Sequence, residues 1–317
     1  MRKLLLLFGL CMLCGCGERQ EVRCVIYSSL DRAYAETVVK ASGIAGVQVI
    51  SDTEAAKSSG LVNRLLVERE RPVADIFLSG DPMRTAFLES QGIGDSFQSR
   101  EVAVRFRMLL INTEREQGSE RPHKTLDLAK PEFAPYSCLA NPQFGTTSVH
   151  IAVLLLTYGE ERTRQFLNDF IANGGTLVAS NGEVKRRVGS GEFTYGITDS
   201  DDVSVALRDG KPVEYEISDL ESFGAIQIPV TAVVLKNAPH PDVAEELADY
   251  LTSEAMERVM SEGMASHFSL LQPDQKPSAF DFSYSEVSRV ARLDYHALSE
   301  VLAKFQPWLD AWVAENR

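Results

Sequence analysis

The sequence lacks the motifs that mark most hydrolases, zinc enzymes and nucleotide-binding proteins. No G-x-S-x-G, G-x-G-x-x-G or P-loop pattern occurs in its 317 residues. Histidine is scarce, and no two histidines have the H-x3-H or HExxH spacing of a metal site. The five are His123, His150, His240, His267 and His296. We therefore expect neither an enzyme nor a bound cofactor.

Cysteine and long apolar runs are also few. Three of the five cysteines fall within the first 16 residues, so only Cys24 and Cys138 lie beyond them. Both sit in apolar, strand-like runs, VRCVIY and YSCLA, which favours two buried free thiols over a disulfide. After the N-terminal run no segment reaches 18 apolar residues, so no later segment is predicted to span a membrane.

Positive charge is in deficit. The 32 lysines and arginines face 45 acidic residues, for a formal net charge of −13. Nucleic acids and anionic lipid headgroups repel such a chain, so neither is an expected partner. Any contact with a membrane should come through a lipid anchor alone.

What the N-terminus does contain is an export signal. Arg2 and Lys3 precede an apolar run at 4–12, and Leu13-Cys14-Gly15-Cys16 follows. This ending resembles a bacterial lipobox, in which Cys16 becomes the acylated, palmitate-bearing first residue of the mature lipoprotein. Ordinary secretory cleavage nearby is the alternative. Either interpretation predicts an exported protein of the cell envelope, and the lipobox predicts anchoring on the periplasmic side or outer face of a bacterial membrane.

Strand-like runs alternate with helical patterns along most of the chain. The runs VRCVIYS, VQVIS and ADIFLS are followed by helical patterns at 31–42, 54–70 and 82–91, which indicates βαβ units. A second set of elements extends from YSCLA to FTYGIT and beyond. Two long β segments, VAVRFRMLLINT and AIQIPVTAVVL, would carry the chain between two lobes. The predicted fold is α/β, a hinged clamshell whose lobes each contain a mostly parallel sheet flanked by helices.

The predicted organisation follows from these crossings and from the signal. It comprises a signal peptide at 1–15, a tether at 16–21, the first part of lobe 1 at 22–107, lobe 2 at 108–227, a return to lobe 1 at 228–280, and a C-terminal helical segment at 281–317. In open α/β sheets ligands bind outside the carboxyl ends of the strands. The loops that follow strands are therefore the candidate ligand-binding segments.

Two of these loops are rich in hydroxyl groups. Ser28 and Ser29 end the first strand, and the segment from Asn141 to Gly145, Thr146 and Thr147 opens a helix. Backbone N–H groups at a helix start, together with hydroxyls, form a natural anion site. The alternative is plain N-capping of the helices.

Two other loops carry acids. Asp199, Asp201 and Asp202 follow the strand FTYGIT, and Asp52 and Glu54 follow VQVIS. Gathering like charges in one cleft is costly unless a cation neutralises them. A hard metal ion on Asp199, Asp201 and Asp202 would do so, and so would an ammonium group. Some of these aspartates could instead simply stabilise the first turn of a helix.

The same loops resemble those of the iron(III)-type extracellular solute-binding proteins (family 1) of bacterial ABC importers. The resemblance extends over most of the mature chain, and the stretches that carry it are VIYSSLDRAYAETVVKAS, DTEAAKSSGLVNRLLVERERPVADIFLS, LANPQFGTTSVHIAVLLLTYGEERTRQFL, GEFTYGITDSDDVSVALRDGKPV and IPVTAVVLKNAPHPDVAEELADYLTS. It implies a type II periplasmic-binding-protein clamshell with one solute in the cleft. It also implies a monomer that delivers its cargo to a membrane permease and its ATPase.

One departure from the family bears on the cargo. Ferric members carry two adjacent iron-binding tyrosines after the strand that corresponds to FTYGIT, and here Asp201 and Asp202 occupy that place. We expect Tyr27 and Tyr195, the nearest phenols, to be structural. The leading hypothesis is a receptor for iron(III) or another hard cation, with or without a partner anion. A phosphonate or another phosphorylated or zwitterionic organic solute is the alternative, followed by a sensory subunit and by a metal-dependent secreted hydrolase.

Overall fold

The computed structural model describes residues 21–51, 59–94, 100–116, 120–218 and 223–316. The predicted signal peptide, Cys16, and the candidate ligands Asp52 and Glu54 lie outside these residues. In the described part of the chain, nine strands are present. They are β1 Cys24–Ser28, β2 Val47–Ser51, β3 Ile76–Ser79, β4 Arg100–Asn112, β5 Ser137–Ala140, β6 Thr176–Val178, β7 Tyr195–Asp199, β8 Val213–Ile217 and β9 Gln227–Val234.

The strands form one sheet with the order β2-β1-β3-β9-β4-β7-β5-β6, and β8 also pairs with β4. Pairing is parallel within β2-β1-β3 and within β7-β5-β6. It is antiparallel where β9 and β4 join the two groups. We call the side with β1, β2, β3 and β9 lobe 1 and the side with β5, β6, β7 and β8 lobe 2.

The long strand β4 belongs to both lobes. Arg100 to Phe106 pair with β9, whereas Arg107 to Ile111 pair with β7. The change of partner between Phe106 and Arg107 marks the crossing, and it lies within the β segment that the sequence predicted for this role. Alternate residues of a strand point to one face, so Arg105 and Arg107 flank the crossing on the same side.

Helices cover both faces of the sheet. They are α1 Arg32–Ala41, α2 Ser59–Glu68, α3 Pro82–Ser90, α4 Gly145–Ala172, α5 Asn181–Gly189, α6 Ser200–Arg208, α7 Pro241–Leu251, α8 Glu254–Glu262 and α9 Tyr295–Glu315. Short 3₁₀ turns occupy Thr125–Ala129, Ala134–Tyr136 and Tyr284–Glu286. No helix of the described residues is long and apolar enough to cross a bilayer.

Gly159 divides α4, and Asp294 caps α9. The backbone of Gly159 is non-helical, with φ 80° and ψ 170°, so α4 consists of two helices that meet at this residue. Glycine adopts a positive φ without the steric penalty that a side chain would bring. Within the predicted C-terminal helical segment at 281–317, α9 begins at Tyr295, where Asp294 accepts bonds from the N–H groups of His296 and Ala297.

Each lobe has its own apolar core, and α9 connects them. The largest core cluster combines Met83 of α3 in lobe 1 with Leu302 and Phe305 of α9 and with the inner face of α4. Cys24 and Cys138 are buried and free, as predicted. Because α9 packs against α3 of lobe 1 and α4 of lobe 2, it stabilises the relative position of the lobes.

Candidate functional site

A cleft of about 960 Å³ lies between the lobes. Its lobe 1 wall contains the ends of β1 and β3, one face of α1 and the segment after α8. Its lobe 2 wall is formed by the first turns of α4, α5 and α6. Three helix N-termini on one wall carry a converging positive potential, because each backbone dipole points its positive end there.

Most of the predicted site residues line this cleft, namely Ser29, Asn141, Gly145, Thr146, Thr147, Asp199, Asp201 and Asp202. Ser28 does not line it. Its side chain is fully buried, and its Oγ accepts a bond from the N–H of Leu30 at 3.1 Å. Ser28 therefore shapes the turn after β1 and leaves Ser29 to face the cleft.

Arg107 organises a buried hydrogen-bonded cluster at the cleft. Its Nη1 contacts Asp199 at 2.7 Å and donates to Thr146 at 3.1 Å, and its Nε donates to His150 at 3.4 Å. Burial alone would raise the pKa of Asp199, but the charges of Arg107 and Arg105 outweigh it and hold that pKa below the usual value. Asp199 is thus an ionised structural acid.

The predicted hydroxyl groups are engaged inside the protein. Thr146 Oγ1 donates to Asp199 at 2.6 Å, and Thr147 Oγ1 donates to Asn181 at 3.1 Å. Their backbone amides stand in the first turn of α4, whose N-cap is Phe144 and has no capping side chain. The start of α4 therefore offers N–H groups and not hydroxyls to a ligand.

Arg105 faces the cleft with incomplete pairing. It is 7% exposed, and its Nη2 donates to the carbonyl of Gly80 at 2.6 Å. Its contacts to Asp199 and Asp201 are long, 3.4 Å each, and its buried Nε has no partner among the described residues. A buried guanidinium normally satisfies its donors, so this one has bonding capacity left over.

Asp201 and Asp202 stand at the start of α6. Burial, with the neighbouring charges of Asp202 and Asp199, raises the pKa of Asp201 to about 7 against the opposing effect of Arg105. Burial also raises the pKa of Asp202, although Lys185 lies 3.1 Å from its carboxylate. Asp201 is consequently part-protonated near neutral pH and would gain a full charge beside a cation.

Tyr34 and His267 form a neutral pair on the lobe 1 wall. Their rings stack with centroids 5.3 Å apart, and the Tyr34 hydroxyl lies 3.1 Å from His267 Nδ1. Burial, assisted by Arg105, lowers the pKa of His267 well below its usual value. His267 Nε2 is buried and has no partner in the described part of the chain, so it is a second polar atom available to a ligand.

A metal centre receives little support from the geometry. Among the described residues no group of three or more His, Cys, Asp and Glu side chains is arranged to hold an ion. Tyr27 is buried and its hydroxyl donates to Glu68, and Tyr195 packs on Phe133. The metal role of Asp199, Asp201 and Asp202 stays a prediction.

Comparisons with known proteins agree with this architecture. The family model described as "Bacterial extracellular solute-binding protein" matches residues 28–263, about three quarters of the chain. The chain belongs to this family. A Haemophilus influenzae protein of unassigned function is 25% identical over 316 residues, which cover 90% of each chain.

Solved structures show the same fold. Iron-bound HitA of Pseudomonas aeruginosa has a TM-score of 0.78 at 16% identity, covering 91% of this chain and 99% of that one. AfuA of Actinobacillus pleuropneumoniae, with fructose-6-phosphate bound, has a TM-score of 0.75 at 20% identity, covering 93% and 98%. The predicted type II periplasmic-binding-protein fold and the resemblance to iron(III)-type proteins are confirmed, and the chain is a solute-binding protein.

Several cleft residues of this solute-binding protein were not identified from the sequence. They are Tyr34, Gly80, Asp81, Arg105, Asn181, Lys185 and His267. Arg105 had a usable signal, because the run VAVRFRMLL places two arginines at period 2 inside a strand that is otherwise apolar. Two charges on one face of a buried strand need partners, and such positions mark candidate sites.

Proposed function

We propose that this protein is the receptor of an ABC importer and that its cleft captures a small organic anion bearing a phosphonate, phosphate or carboxylate group. The observation that carries the proposal is the guanidinium of Arg105, buried at the cleft with a free Nε and two long ion pairs. An anionic oxygen would complete its pairing with charge-assisted hydrogen bonds.

The start of α4 supports the same placement. Thr146 and Arg105 both contact Oδ2 of Asp199, so the uncapped first turn of α4 lies close to Arg105. The amides of Gly145, Thr146 and Thr147 and the macrodipole of α4 favour a negative group there. An anion at this position would be held by a helix start in lobe 2 and by Arg105, which is itself bonded to Gly80 of lobe 1.

Such a ligand would stabilise the closed clamshell. Contacts that reach both lobes form fully only when the lobes approach, and differential affinity for the closed state shifts the population towards it. β4 crosses between the lobes at Phe106 and Arg107, so the hinge and Arg105 are adjacent in sequence. Ligand binding is thereby coupled directly to the closure that a permease would recognise.

A hard cation such as iron(III), with or without a partner anion, is the second candidate. The first turn of α6 favours it, because Asp201 and Asp202 are two adjacent carboxylates with raised pKa values. Iron-bound HitA shares the fold. Against it, Asp199 and Asp202 already pair with Arg107 and Lys185.

The remaining assignments follow from the sequence. We infer an exported protein anchored through lipidated Cys16, acting as a monomer with a permease and its ATPase. No catalytic residue and no resident cofactor are proposed. A sensory subunit would bind the same ligand but would lack neighbouring permease and ATPase genes, so gene context separates these roles.

A binding panel tests the proposed cargo. Chelator-treated protein is titrated with inorganic phosphate, methylphosphonate, 2-aminoethylphosphonate, glycerol phosphate and citrate, and separately with iron(III), manganese and zinc. A ligand at a hundredfold excess over its Kd stabilises the fold by about 2.7 kcal/mol. Stabilisation by an organic anion supports the proposal, whereas stabilisation by a metal alone would replace it with the cation candidate.

Variants locate the ligand. Arg105→Gln should weaken anion binding by about ten- to a hundredfold, the value of one or two charge-assisted hydrogen bonds. Arg100→Gln is the matched control, since Arg100 also lies on β4 but pairs with Glu245 and Asp249 at the surface. Unchanged anion affinity in Arg105→Gln would remove Arg105 from the site.

A further inference from the structure

Two large apolar side chains stand exposed in the cleft. Phe144 is 41% exposed and Met264 is 64% exposed, and both line the cavity. Scattered exposed apolar residues are normal on protein surfaces. These two, however, lie in the same cleft as Arg105, whose buried guanidinium has an unpartnered Nε.

The backbones of both residues are held in place. Phe144 is the N-cap of α4, and its carbonyl accepts a bond from the N–H of Ser148 at 3.2 Å. The carbonyl of Met264 accepts a bond from Ser204 Oγ at 2.7 Å. The main chain at both exposed side chains is therefore fixed by hydrogen bonds.

The two residues belong to opposite lobes. Phe144 belongs to lobe 2 and directly precedes the amides at the start of α4. Met264 follows α8, whose Met256 and Met260 belong to the lobe 1 core. The lining of the same cleft also includes the apolar residues Leu30, Val38, Leu177, Val205 and Val259.

We propose that the ligand carries a hydrocarbon part that packs between Phe144 and Met264 while its anionic group binds at Arg105 and the start of α4. The inference rests on the proposed function and narrows the cargo to amphiphilic organic anions. Ligand pockets of this kind combine a mainly apolar lining with a few polar groups that fix orientation. An inorganic ion would leave both side chains in water, so burial of their apolar surface would contribute nothing to binding.

The test is a homologous series of methyl-, propyl-, butyl- and phenylphosphonate, titrated calorimetrically into the full mature protein. Each buried methylene contributes about 0.8 kcal/mol, or roughly fourfold in Kd, so affinity should rise about two- to fourfold per carbon. In Phe144→Ala and Met264→Ala this slope should flatten, so butyl- and phenylphosphonate should lose more affinity than methylphosphonate. Alanine is chosen at Phe144 because serine would add a helix cap.

Leu156→Ala and Leu271→Ala are matched controls, since Leu156 and Leu271 are 48% and 51% exposed but do not line the cleft. A flat series in the unmodified protein, with methylphosphonate still bound, overturns this inference and leaves the proposed function intact. An equal loss for every member of the series in Phe144→Ala also overturns it, because Phe144 would then contribute to lobe closure and not to the hydrocarbon. If no member of the series binds, both a phosphonate cargo and this inference are excluded.

Discussion

Arg105 and Arg107 lie two residues apart on one strand and have opposite surroundings. Arg107, in lobe 2, is 1% exposed and contacts Asp199, Thr146, Asn181 and His150 at 2.7 to 3.4 Å. Arg105, in lobe 1, is 7% exposed and makes one short bond, to the Gly80 carbonyl. A buried arginine that bonds to several buried groups stabilises the fold, whereas one with an unpartnered Nε and long ion pairs is available for a ligand.

The contrast assigns different roles to the two sides of the crossing. In lobe 2 the side chains of Arg107, Asp199, Thr146 and Asn181 bond to one another, so they connect the first turns of α4, α5 and α6. Arg105 sits where this wall meets lobe 1. The following predictions test whether stability and binding separate between the two arginines.

The largest effect is expected for Arg107→Met. Removing one partner of a buried ion pair leaves an uncompensated charge on Asp199, which typically costs about 3–5 kcal/mol of unfolding free energy. Urea denaturation of the variant measures this loss. Arg107→Met combined with Asp199→Leu should recover part of it, and Arg100→Met on the exposed part of β4 should cost less than about 1 kcal/mol. An equal loss of unfolding free energy in Arg107→Met and Arg100→Met would mean that the buried partners of Arg107 do not stabilise the fold.

Thr146→Val should have the next largest effect. The hydroxyl of Thr146 donates to Asp199 at 2.6 Å and accepts from Asn181 at 2.6 Å and from Arg107 at 3.1 Å. Leaving these buried groups without a partner costs about 1–3 kcal/mol. Thr147→Val is the matched control, because the Thr147 hydroxyl makes one bond, to Asn181, and its loss should cost about 1 kcal/mol or less.

The sequence was informative where the cause was local. Alternation of strands and helices predicted the α/β fold, and two unusually long β runs predicted the crossings, because these features depend on residue patterns within a few turns. The candidate loops were also predictable, because strand ends can be read from local patterns and ligands bind outside the carboxyl ends of strands. Helix ends were less predictable: the 3₁₀ turn at Tyr284–Glu286 and the cap at Asp294 displaced the start of α9.

The electrostatic character of the site was not predictable in the same way. Asp199 is 92 residues from Arg107 and 53 from Thr146, and no local pattern reveals such partners. Considered without them, Asp199, Asp201 and Asp202 predicted a hard-cation site. Arg107, Arg105 and Lys185 beside them balance the charge of the three carboxylates, and Asp199 becomes structural.

Asp201→Asn should change how stability depends on pH. The folded-state pKa of Asp201 is raised to about 7, so the unfolding free energy is highest below the ordinary aspartate pKa of about 4 and falls as the pH rises towards 7. The variant cannot titrate, so its stability relative to that of the unmodified protein should increase by about 2–3 kcal/mol between pH 5 and pH 8. Thermal unfolding across pH 5–8 measures the difference. Asp209→Asn, at the exposed C-terminal end of α6, is the matched control for removing an aspartate charge from this helix.

The smallest effect is expected for Gly80→Ala, which tests the contact between Arg105 and lobe 1. A methyl group at this position would lie 3.1 Å from Arg105 Nη2 and 3.1 Å from Leu30 Cδ2. The guanidinium can move by a few tenths of an ångström because it is loosely paired, so unfolding free energy should fall by less than about 1 kcal/mol.

Anion affinity in Gly80→Ala should fall by about two- to fivefold, since Arg105 would be displaced from the start of α4. Gly189→Ala, at the end of α5 and outside the cleft, controls for an added methyl group, because the nearest atom there belongs to the flexible side chain of Lys211 at 3.3 Å. A loss of stability in Gly80→Ala as large as that in Arg107→Met would mean that Arg105 is as tightly integrated into the fold as its neighbour.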